Sequence, residues 1–149
     1  MESLPHVLLL GSLIIIFSTA LFFSLLNTYT SEVSYTVSVS SAMRLCNEID
    51  KIVKQREYEI ARSVDIRISG GVLTITPGDE DDTPITLEIE GKKIAFPIPE
   101  DIKIAAVSNG KIRVNGNSII VIFYGDKETC ENPYDKIGNK RNVIIICDK

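Results

Sequence analysis

The stretch Val7–Leu26, VLLLGSLIIIFSTALFFSLL, decides how the rest of the sequence is read. It holds no charged residue, and its polar members are small: Gly11, Ser12, Ser18, Thr19 and Ser24. At ~1.5 Å per residue such a run crosses the ~30 Å hydrocarbon core of a bilayer. Every backbone amide in that environment must bond internally, so the stretch predicts a helix. Pro5 lies just ahead of it, where a missing N–H costs a helix nothing, and Ser3 is a candidate cap. Three roles compete. A cleaved secretory signal calls for a basic leader, yet residues 1–6, MESLPH, contain no Lys or Arg, and apolar residues continue past the small run Ser18-Thr19-Ala20. The other two are a single-pass anchor and a helix that begins in a membrane and ends inside a polymer.

Downstream, residues 27–41 (NTYTSEVSYTVSVSS) are rich in Ser, Thr and β-branched residues and carry one charge, Glu32. Propensity alone leaves them extended or weakly helical. Beyond them Ala42, Cys46, Ile49, Val53 and Ile60 recur at helical spacings, with Met43 and Ile52 alongside, the apolar stripe of an amphipathic helix. Charges fill the other faces, and Glu48 with Lys51 and Asp50 with Lys54 have pairing separations. Neither Gly nor Pro interrupts Asn27–Ile60, so one helix is expected from Pro5 to about Arg56, with a bend near Asn27–Thr30 compatible with it. Ile49, Val53 and Ile60 are its expected contacts to the following domain.

Near Ser63 the period changes from 3.6 to 2. Alternating runs at 64–68, 72–76, 85–89, 94–96, 102–107, 111–114 and 119–124 are punctuated by Gly70-Gly71, Pro77-Gly78, Glu90-Gly91, Asn109-Gly110 and Asn115-Gly116. Asn-Gly between such runs signals a hairpin, which would pair 102–107 with 111–114. A polar loop at 125–141 leads to a buried strand at Val143–Ile146. About eight short strands at this spacing suggest a sandwich or open barrel. The expected class is α+β: residues 1–62 a long apolar-to-amphipathic helix, residues 63–149 an all-β, sandwich-like head.

Composition narrows the function. The net charge is -4 over 149 residues with both signs interspersed, so no nucleic-acid partner is indicated. All 16 Lys and Arg lie at or beyond Arg44, which leaves neither flank of the apolar run with the basic cluster that fixes orientation. Cys130 and Cys147 flank the polar loop and are candidates for a disulfide, contributing on the order of 3 kcal/mol in the chain-entropy model. Cys46 reads as a small buried apolar residue. No Cys or His spacing suits a metal, so no cofactor is expected. Asp79-Glu80-Asp81-Asp82 lacks the EF-hand pattern and reads as a solvated turn. His6 has no neighbouring nucleophile, and no GxSxG elbow or phosphate loop occurs, so no enzyme is expected.

An apolar N-terminal helix that runs into an amphipathic one and then a β-domain resembles the type IV pilin family, most closely archaeal pilins and archaellum subunits. Ser3-Leu4-Pro5-His6-Val7, the run to Leu26, and Ser41-Ala42-Met43-Arg44-Leu45-Cys46-Asn47-Glu48-Ile49 carry the likeness. The family's precursors carry a short basic leader ending in Gly, which is not seen ahead of these residues. Bacterial members have Glu at the fifth mature position, where Pro5 stands here. The resemblance implies a lollipop layout, insertion in the cell membrane before assembly, and a filament at the cell surface. It also implies a leader peptidase, an assembly ATPase and a membrane platform as partners. In that setting Gly11, Ser12, Ile16, Ala20 and Phe23 are the expected helix-packing residues of a homopolymer core, the small ones permitting close approach. The competing expectation is a monomeric anchored β-domain, similar to archaellum stator components, that binds an extracellular partner.

Overall fold

The computed structural model describes residues 3–56, 60–78, 83–106, 110–132 and 142–149. A single helix, α1, spans Ser3–Gln55. Its Ser and Thr hydroxyls do not break it, because they bond back to carbonyls of the preceding turn: Thr28 Oγ1 to Ser24 O at 3.0 Å, Thr30 Oγ1 to Leu26 O at 3.0 Å. That internal satisfaction is how a Ser/Thr-rich segment stays helical. The helix stops at Arg56, which adopts a left-handed conformation (φ 46°) while its N–H still bonds Ile52 O at 3.1 Å. A left-handed residue there redirects the chain as a C-terminal Gly would. Ile60 therefore lies beyond the helix, 38% exposed, and is not part of the buried stripe expected of it.

The chain divides into two compact units, and the division falls inside α1, between Val33 and Ser34. The first unit, Met1–Val33, contains the apolar part of the helix. The second, Ser34–Lys149, contains the remainder of α1 and the sheet.

The sheet has six strands: β1 Ala61–Ile75, β2 Ile85–Ile89, β3 Lys92–Phe96, β4 Ile102–Ala106, β5 Ile112–Tyr124 and β6 Val143–Asp148, in the order β3-β2-β1-β5-β6-β4. A five-residue helix, α2 (Lys127–Glu131), precedes β6. The layout is α+β as expected, but among the described residues the strands form one sheet and not two facing ones. It is mixed, since β5 and β6 run parallel while the other pairs are antiparallel. It also curls, and a bridge joins Gly78, just past β1, to Ile104 on β4.

Two turns expected from the sequence are bends within long strands. Gly70-Gly71 lies inside β1 and Asn115-Gly116 inside β5, and both strands continue through. Ile68 pairs with Gly116 and Leu73 with Val114, so residues 69–72 of β1 face Asn115 alone on β5. Such a bulge increases local twist without reversing the chain. Gly70 and Gly116 take positive φ (71° and 85°), which glycine adopts without steric cost. Gly71 is needed for another reason. A Cβ there would lie 2.4 Å from Glu88 O on β2. Gly71→Ala should therefore destabilise the β-domain by about 1–3 kcal/mol, whereas Gly110→Ala, in open space, should leave the melting temperature nearly unchanged.

The expected β4–β5 hairpin also does not form. β4 pairs with β6, and β6 separates it from β5. The reason is the apolar content of β6. Val143–Cys147 is buried at every position, which requires cover on both faces and hence a central place. The Glu90-Gly91 turn does join β2 to β3 in a two-residue hairpin, both residues at positive φ (51° and 75°).

The main core lies between the 42–53 part of α1 and one sheet face. Ala42, Leu45, Ile49, Ile52 and Val53 pack with Ile66, Leu73, Leu87, Ile120 and Ile122, among others. A second cluster on the other face joins Val143, Ile145 and Cys147 to Val121, Phe123 and Cys130.

Candidate functional site

In the first unit every large side chain from Val7 to Leu26 is exposed, between 44 and 70%. This segment makes α1 the one described helix long and apolar enough to cross a membrane. Of the expected packing residues, Ser12, Ile16, Ala20 and Phe23 are exposed and Gly11 is half-buried. The Ser12 and Thr19 hydroxyls are absorbed by Leu9 O (2.8 Å) and Ile15 O (2.9 Å), so they present no unsatisfied donor to an apolar surrounding. Gly11 leaves a shallow apolar recess of about 380 Å³ among His6, Val7, Leu10 and Ile14, and a Cβ there would meet nothing. Chemically such a surface can do one thing. It can be covered by lipid or by another apolar helix.

The exposed apolar surface does not end at Leu26. Tyr29, Val33, Tyr35, Val37 and Met43 are all at least 38% exposed, and the first basic side chain is Arg44. Met43 therefore turns outward instead of joining the stripe that the spacing assigned it to. Ile49 and Val53 are buried in the core, as are Leu45 and Ile52 beside them.

The face of α1 turned to the sheet begins with serines the sequence reading passed over. Ser34, Ser38 and Ser41 lie at i, i+4 and i+7, so they share a face with Ala42 and Leu45. At the β1 bulge the ladder to β5 is interrupted, and Ser69 needs other partners for its backbone. Ser38 Oγ accepts from Ser69 N–H at 2.8 Å and approaches Ser69 O at 3.2 Å. Ser34 Oγ meets Ser69 Oγ at 3.0 Å, and Ser41 Oγ accepts from Arg67 N–H at 3.2 Å. The same residues that look like poor helix formers thus dock the helix on the bend. Ser38→Ala removes the acceptor of the part-buried Ser69 N–H bond and should cost about 0.5–1.5 kcal/mol in thermal or denaturant unfolding. Lower down, Glu48 bonds Lys51 (2.5 Å) and Arg62 (3.2 Å), and Arg62 also reaches Gln55. The Lys51 bond, ahead of all other effects, holds the Glu48 carboxyl below its ordinary value.

Cys130 and Cys147 form a disulfide with Cα atoms 6.0 Å apart, tying α2 to β6. Asp126 caps α2, its carboxylate accepting from Thr129 N–H at 2.8 Å. Gly125 permits the close approach, since a Cβ there would stand 2.8 Å from the Ile145 side chain and 3.1 Å from Cys130 Sγ. Cys46 is half-buried, and burial pushes its thiol up to about 11. Beside the disulfide a cleft is lined by Lys103, Lys127, Lys149, Glu131 and Asp148, side chains of both signs that present no single-charge field. Among the described residues no group of three His, Cys, Asp or Glu could hold a metal ion. The acidic run Asp79–Asp82 lies outside the described residues. Comparison with protein families, with curated proteins and with solved structures finds no match for this chain.

Proposed function

We propose that the chain is the structural subunit of an extracellular filament, its N-terminal helices bundled with those of other copies and its β-domains outermost. One observation carries the reading: apolar helix surface, free of Lys and Arg, stays exposed through Met43. At ~1.5 Å per residue, residues 7–43 amount to about 55 Å of helix, against ~30 Å of hydrocarbon core. Lipid can cover residues 7–26, but not the remainder as well. Parallel neighbouring helices can cover both. Contacts of that kind are heterologous, and repeated without closure they build a helical polymer instead of a ring. A membrane is the resting place of the helix before assembly. The leader peptidase, assembly ATPase and membrane platform that such a subunit calls for rest on the sequence resemblance alone.

Photo-crosslinking tests the reading directly. A photoreactive residue at Phe17, and separately at Tyr35, should give homotypic adducts at both positions in cells. Adducts to lipid from position 17, with no second copy captured at 35, would instead describe a lone anchored β-domain.

A further inference from the structure

We infer that β6 of one copy can seat in the sheet of a second copy, and that the Cys130–Cys147 disulfide is what keeps it in its own. The inference does not depend on the filament reading. β6 is the last strand in sequence but occupies the sheet interior, with β5 parallel on one side and β4 antiparallel on the other. Five consecutive residues, Val143–Cys147, are buried, Ile144 and Ile146 in the main core and the other three in the second cluster. Removing it opens a slot with unpaired ladders on both walls. Among the described residues, β4 has no strand partner besides β6 apart from a single bridge at Gly78. The occupant that restores every contact is the same strand from another copy. Exchange of an identical element is a low-cost route to association.

Covalent reach decides between the two placements. Through the backbone, β5 and β6 are joined by residues 125–142, a stretch whose fully extended length is about 60 Å. Through the disulfide, the far end of β6 hangs from Cys130, six residues past Tyr124. A tether that short cannot deliver β6 to another sheet. Non-covalent ties, which would be remade in either sheet, include Tyr124 O–H to Asp148 Oδ1 (2.6 Å), Gly125 N–H to Ile146 O (3.0 Å), Val121 N–H to Asn142 O (3.0 Å), Asn142 Nδ2 to Ser118 Oγ (2.9 Å) and Lys149 N–H to Asp101 O (2.9 Å). Cys46 does not compete for the pairing: it is half-buried and packs with the main core, whereas Cys130 and Cys147 belong to the second cluster.

The test uses the full chain in detergent, prepared once with natural nitrogen and once with ¹⁵N, mixed in equal amounts at sub-denaturing urea. Dithiothreitol reduces the disulfide to two thiols and is itself oxidised to its cyclic disulfide. After its removal, glutathione disulfide re-forms the bond and is reduced to two glutathione thiols. Peptide mass spectrometry then reads the isotope of Cys130 against that of its Cys147 partner. Without reduction, pairs should stay same-isotope throughout. After reduction and reoxidation, soluble oligomers should carry mixed Cys130–Cys147 pairs approaching about half of the total, as free exchange of an identical element requires. Pairs that remain same-isotope overturn the inference. So do mixed pairs confined to precipitate, or accompanied by comparable Cys46 bridges, because both report unfolding and scrambling in place of strand exchange.

Discussion

Ile16→Asp and Ala20→Asp should each abolish polymer while leaving the β-domain folded. Both positions are exposed in the first unit, so neither substitution touches the core of the second. In an assembled bundle the carboxylate would face apolar helices with no cation near, since the chain has no Lys or Arg before Arg44. A charge placed at the centre of an apolar helix costs about 2.5–3.5 kcal/mol on insertion scales. That corresponds to about a hundredfold in association, applied at every subunit. Sedimentable polymer should fall below detection, with Ile16→Leu as the control that retains it. The melting transition of the β-domain should be unchanged in all three. Membrane fractionation separates failed insertion from failed assembly.

The second large effect concerns where the folded domain begins. A chain starting at Ser34 should fold and be freed from membranes, whereas one starting at Ala61 should not fold. The second keeps every strand but loses Ala42, Leu45, Ile49, Ile52 and Val53 from one face of the core. Burial of each larger side chain among them contributes about 1.5–3 kcal/mol, and together they rival the 5–15 kcal/mol of a typical domain's stability. The Ser38 and Ser41 bonds at the β1 bulge go as well. Circular dichroism and hydrogen exchange distinguish the outcomes. Equal melting temperatures for the two chains would mean that the helix is not part of the core.

How much of this was legible in the sequence depends on which physical signal was local. The apolar run and its continuation to Gln55 could be read directly, because charge and the absence of Gly and Pro are one-dimensional facts. Ile49 and Val53 followed from spacing. Leu45 did not, though it sits on the same face. Ile60 was misplaced because the left-handed residue that ends the helix is Arg56, and nothing about an Arg announces that. The glycines at 70–71 and 116 were read as turns between separate strands, but Gly-Gly opposite Asn-Gly can equally mark one shared bend of two long strands. The choice is settled by strand pairing that is remote in sequence. The same holds for the Asn109-Gly110 signal, which lost to an apolar strand arriving some thirty residues later and needing a central position. The serines at 34, 38 and 41 showed no sign of their role, since their partners, the Ser69 hydroxyl and the Ser69 and Arg67 N–H groups, are far along the chain and come within reach only in the folded domain.

The most direct test of the central claim is electron microscopy of the surface of cells making the native protein, with gold-labelled antibody raised against residues 34–149. The account predicts thin helical filaments decorated along their whole length, and a reconstruction whose core density is a bundle of helices from successive copies. Label spread singly over the cell envelope, with no filament carrying it, would contradict the account and leave a membrane-anchored monomer.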